Sequence, residues 1–159
     1  MKTLKTITFK VTILLFAATL STSLLQAEKL NELKTIQQML EQYSNHSDHE
    51  FQALVLTQCI SLFGAASQIV SETKEKMQLN QLSENFWASA IWAKTGFKSV
   101  SPSTDTLDLI NAWVSDRYRA FTRYYFLKLE ETDRKFNSVY TKSVLDEFSA
   151  CGKFFNDIK

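Results

Sequence analysis

The chain has 159 residues with a formal charge of +1, and only three glycines and one proline. So few turn residues argue against an all-β domain. A near-balanced charge gives no basis for meeting nucleic acid or an anionic membrane through an overall field.

Met1 to Ala27 has the layout of a secretory signal peptide. Lys2, Lys5 and Lys10 make a basic start, Val11 to Leu20 forms an apolar run, and the stretch closes on the small residue Ala27, before the first acid, Glu28. Leu25 occupies a position where a small residue is preferred, so Ala18 and Ser23 mark alternative cleavage sites. The apolar run falls short of the roughly 20 residues a spanning helix needs, and only an uncleaved leader would tether the chain to a membrane. The sequence therefore predicts export, to the periplasm or to the outside, with a leader at 1–27 and one domain at 28–159. Three of the 18 Lys+Arg lie in the leader, which leaves 15 against 17 Asp+Glu, a working charge of −2.

Beyond the leader, apolar residues recur at three- and four-residue steps, the periodicity of amphipathic helices. A first helix is expected over Glu28 to Tyr43, with Leu30, Leu33, Ile36, Met39, Leu40 and Tyr43 inward. Ser47-Asp48-His49-Glu50 fits a capping box that starts a second helix, whose buried stripe includes Phe51, Val55, Cys59, Leu62, Phe63 and Ala66, widened by Leu56 and Ile60. A single helix continuing to Thr95 would be far above ordinary length, so a break is expected near Asn80. A third helix then covers about Leu82 to Lys94, with Leu82, Phe86, Trp87, Ala90 and Ile91 inward and Gly96 as its C-terminal cap. Ser101-Pro102-Ser103 is a loop, and Ser103 or Thr104 caps a fourth helix over about Asp105 to Glu130, with Leu107, Ile110, Trp113, Val114, Tyr118, Phe121, Tyr125 and Leu129 inward. A final helix spans about Asp133 to Asn156, with Phe136, Val139, Tyr140, Val144, Leu145, Phe148, Cys151, Phe155 and Ile158 on its apolar face. The expected fold is all-α, one bundle-like domain of four or five helices.

Cys59 and Cys151 are the only cysteines, and each falls on the buried stripe of a different helix. In an oxidising compartment such a pair forms a disulfide. Neither has the CxxC spacing or the basic surroundings of a reactive thiol, Lys153 apart.

Signals for chemistry are sparse. His46, His49 and Glu50 form the one cluster with metal-ligand character, yet it straddles a helix start where the acids serve as caps, and no metal or other cofactor is expected. Arg117 to Tyr125 interleaves arginines with aromatics; Arg119 and Arg123 lie one turn apart, with Asp116 placed to pair locally with Arg119. These arginines are candidate contacts for a partner or an anion. Nucleic acid is not the expected partner outside the cytoplasm. Trp92 and Phe126 fall off the buried stripes and are candidate partner contacts, whereas Trp87, Trp92 and Trp113 could instead line a pocket for an apolar ligand. No GxSxG elbow, P-loop, GxGxxG turn or HExxH helix occurs, and adjacent acids such as Asp146-Glu147 diverge around their helix. The sequence thus points to a non-enzymatic exported protein that binds another protein, with a small-ligand or metal carrier as the alternative.

Overall fold

The computed structural model describes residues 33–42, 47–96 and 102–158. Among them are five helices and no strand: α1 (Ile36–Gln42), α2 (His49–Ile69), α3 (Thr73–Lys94), α4 (Thr104–Phe136) and α5 (Lys142–Asp157). They belong to one compact unit, Lys34–Lys159. The leader lies outside the described residues.

α2 is the axis of the domain. Of its 21 residues 16 are buried, so it is apolar nearly all round rather than along one stripe, the pattern of a helix surrounded by neighbours. It is long and apolar enough to cross a membrane by composition, but that apolar stretch is 83% buried inside the protein. Some of its buried polar side chains, such as Thr57 and Ser67, bond back to its own carbonyls, and others link it to neighbouring helices. Ser61 Oγ reaches Tyr118 O of α4 at 3.3 Å, and Ser83 Oγ of α3 donates to Ile60 O at 3.2 Å. Gly64 marks the tightest approach, since a Cβ there would stand 3.0 Å from the Tyr118 hydroxyl.

α5 is held against α2 by the Cys59–Cys151 disulfide, with Cα atoms 5.8 Å apart and both residues fully buried. An aromatic run continues the contact. Phe63 stacks on Phe148 with centroids 5.0 Å apart and meets Phe86 of α3 at 5.3 Å, and Phe86 in turn lies 4.7 Å from Phe155. One aromatic layer therefore ties α2, α3 and α5 together, each pair adding about 0.5–1.5 kcal/mol beyond its area burial.

Five boundaries differ from the sequence expectation, one of them the start of α5 at Lys142 rather than Asp133, because α4 runs on through Phe136. Leu33 to Thr35 are not helical, and α1 starts where Thr35 and Gln38 form a reciprocal cap: Gln38 N donates to Thr35 Oγ1 at 3.2 Å and Thr35 N to Gln38 Oε1 at 2.9 Å. That capping box starts α1 at Ile36, and the expected start at Glu28 lies outside the described residues. At α2 the cap is Asp48, not Ser47. Its carboxylate accepts from Glu50 N at 2.9 Å, while Glu50 turns its own carboxylate to Lys94. No break occurs at Asn80. The chain turns at Val70 to Glu72, both extended (ψ 138° and 123°), and α3 runs on through Asn80 because Leu79 joins Phe86, Ala90 and Ala93 on one buried stripe. α4 continues past Glu130 to Phe136, since nothing between Glu130 and Lys135 stops a helix. It ends at Asn137, which takes the left-handed conformation (φ 52°) and donates to Asp133 O at 2.7 Å. This extension leaves Phe136 58% exposed, and Leu82 and Leu145 also face solvent rather than the core.

Gly96, at φ +70°, does terminate α3 as expected, and Ser103 caps α4 by accepting from Thr106 N at 3.3 Å.

Candidate interaction surface and a buried polar cluster

One charged residue sits in the core. Glu147 of α5 is 4% exposed because it occupies the same stripe as Val144, Cys151 and Phe154. Burying a carboxylate is costly unless it is paired and hydrogen-bonded, and Glu147 has three partners. Lys128 Nζ of α4 lies 2.6 Å from Oε1, while Tyr125 Oη donates to Oε2 at 2.8 Å and the Ile36 amide at 3.4 Å. Gln58 of α2 extends the network, its Nε2 donating to Tyr125 Oη at 2.9 Å and to Lys34 O at 2.8 Å. Burial first, and then the carboxylate beside it, hold the Tyr125 phenol well above a tyrosine's ordinary value. The cluster joins α2, α4 and α5 and fastens the start of α1 by its main chain. Gln58 Oε1 is left buried without a hydrogen bond. Asp146, next in sequence, turns outward to Lys142 at 2.8 Å.

A second cluster gathers where α2 begins and α3 ends. Lys94 pairs with Glu50, and its ammonium stands 4.5 Å from the Trp113 ring centroid, with Arg117 at 3.9 Å from the same ring. His49 lies beside Gly96. His46 falls outside the described residues. Glu50 is engaged by a lysine, and among the described residues no three His, Cys, Asp or Glu side chains are arranged to hold a metal.

The remaining candidates lie on outer faces. Arg119 is exposed and sits 3.9 Å from Asp116, the local pairing expected from their spacing. Arg123 is exposed on the same side of α4, and Phe126 is half-buried at its rim. Trp92 is 54% exposed. Of the other tryptophans, Trp87 packs edge-on against Tyr118 at 5.4 Å, and Trp113 meets the Lys94 and Arg117 cations. The clearest cleft, of about 480 Å³, is an open groove between α1 and α5 lined by Gln37, Leu40, Lys142, Asp146, Lys153 and Phe154 among others, and it contains no tryptophan.

What the sequence reading missed is Glu147 and its partners. The available signal was phase: Glu147 lies three residues after Val144 and four before Cys151, a charged residue at a buried position. Compared with known proteins, the chain matches no family model, no curated protein and no solved structure.

Proposed function

We propose that this is an exported, non-enzymatic protein that binds another protein through the outer face of α3. The observation that carries this reading is the composition of that face. From Met77 to Trp92 the helix has a single charged residue, Glu84. Met77 (61% exposed) and Trp92 (54%) lie outside with Gln81, Ala88 and Asn85. An exposed helix face with a tryptophan and one charge, Glu84, resembles the charge-depleted, aromatic-enriched centre of protein interfaces. Support for export comes from the leader sequence, and the buried Cys59–Cys151 pair is the staple an oxidising compartment sustains. The carrier alternative draws less support, because the open groove is lined by charged and polar side chains and the tryptophans do not converge on it.

The test is quantitative affinity capture from the extracytoplasmic fraction of the native cell, with the wild-type protein, Trp92→Asp and Ala88→Asp, and with Gln37→Asp on the opposite groove as control. A partner retained by wild type and Gln37→Asp but lost with both α3 variants supports the reading. Equal capture by all four, at unchanged thermal stability, refutes it.

A further inference from the structure

α4 carries an exposed face of its own, which can be matched against a reversed copy of itself. The helix is 33 residues long, about 50 Å. Its outer side exposes two large aliphatic residues, Leu109 at 74% and Leu127 at 51%. They are 18 residues apart, five full turns at 3.6 residues per turn, and so share one azimuth about 27 Å apart. Between them on the same side are the small exposed residues Ala112 and Ala120 and the charges Asp116 and Arg123. Arg123 has no ion-pair partner among the described residues, and Asp116 has only the long 3.9 Å contact to Arg119.

A two-fold axis across α4 at the level of Tyr118 brings Leu109 of one chain opposite Leu127 of the other, and does so twice. The same operation sets Asp116 opposite Ala120 of the second copy, between that copy's Arg119 and Arg123. These lie about 1.5 Å to one side and 4.5 Å to the other along the axis at the helical rise. Ala112 and Ala120 allow the close interaxial distance of about 8–10 Å that packed helices adopt. At the ends Asp105 reaches the level of Glu131, but Arg134, one turn on, shares Asp105's side of the helix. Apolar groups matched at the ends and opposite charges exchanged in the middle are what an isologous interface requires, and a patch for an unrelated partner has no reason to be self-complementary under reversal.

We infer that a second copy of this chain docks antiparallel along α4, with Leu109 against Leu127 and Asp116 between Arg119 and Arg123. One helix pair covers less surface than the roughly 1,200 Å² of a standard interface, which places the dimer among weak, concentration-dependent associations. Its charged centre makes it weaken with salt.

Sedimentation velocity on the oxidised mature chain, across micromolar to near-millimolar concentration, tests this. The wild-type protein shifts toward a dimer as concentration rises. Leu109→Asp weakens association at least about tenfold, since symmetry places the change at both ends of the interface. Asp116→Arg weakens it similarly, and Asp116→Arg with Arg119→Asp and Arg123→Asp restores it by exchanging the charges on both sides. All four positions are solvent-exposed, and circular dichroism confirms that each variant is folded. A wild-type protein monomeric throughout, or a dimer indifferent to Leu109→Asp and Asp116→Arg, overturns the inference.

Discussion

Replacing Glu147 by alanine removes the one carboxylate in the core and strands three partners at once: the Lys128 ammonium, the Tyr125 hydroxyl and the Ile36 amide. Removing one member of a buried ion pair typically costs about 3–5 kcal/mol, because the other charge is left uncompensated. Here the Lys128 side chain is 29% exposed against 5% for Glu147, so the lysine can turn to water and the expected cost falls near the lower figure, about 3 kcal/mol. Tyr125→Phe removes one hydrogen bond to a charged group, worth about 1.5–3 kcal/mol, and leaves Gln58 short of an acceptor. Because both changes break the same bond, the double variant should cost less than the two singles together, by about 1 kcal/mol or more. Urea unfolding with the disulfide intact measures all three. Hydrogen exchange adds a local readout. The amides of α1 should lose protection in Glu147→Ala beyond the global loss, since only Ile36 N and Lys34 O bind that helix to the cluster by main-chain groups. A Glu147→Ala cost under about 1 kcal/mol, or strictly additive costs, would refute the network as described.

Three further outcomes follow from the same geometry. Cys59→Ala with Cys151→Ala opens a loop of 92 positions, for which chain entropy sets an upper cost of about 4–5 kcal/mol; native protein from the cell should weigh two hydrogens less under non-reducing than under reducing conditions, and two free thiols would contradict the staple. Tyr125 and Tyr140 are both held protonated above a tyrosine's usual range, by burial first and then by Glu147 and Glu75 respectively. As acids with raised folded-state values, they contribute stability that is complete below about pH 10, the unfolded value, and is lost as pH rises toward the folded values. Unfolding free energy should thus fall above about pH 10, by about 1.4 kcal/mol per pH unit for the fully buried Tyr125, and Tyr125→Phe should flatten that slope. Asp48→Ala should cost about 1 kcal/mol in thermal denaturation, because its carboxylate accepts from the first amides of α2.

Helical phase carried most of the fold. The stripes of α2 and α4, the inward placement of both cysteines and the glycine stop at Gly96 all follow from periodicity and local backbone preference, which act within a few residues. Boundaries without glycine or proline did not. Val70 to Glu72 turns with no special residue, and the α4 end depends on Asn137 alone. The Thr35–Gln38 cap was visible as a pattern but competed with an apolar stripe beginning at Leu30. The buried cluster was the least legible part. Glu147 is acceptable in the core only because Lys128, Tyr125 and Gln58, from two other helices, arrive at it, and no local spacing encodes that convergence. Trp92 and Arg119 were legible because exposure and i,i+3 pairing are properties of a single helix.

The central claim is that this chain works outside the cytoplasm by presenting α3 to another protein. The most direct measurement is in-cell photocrosslinking, with a photoreactive amino acid placed singly at Ala88, Gln81 and, as control, Gln37. The account predicts the same discrete adduct from Ala88 and Gln81, formed by chain lacking its leader, and none from Gln37. Adducts from Gln37 alone, or only from protein that retains the leader and resides in the cytoplasm, would contradict it.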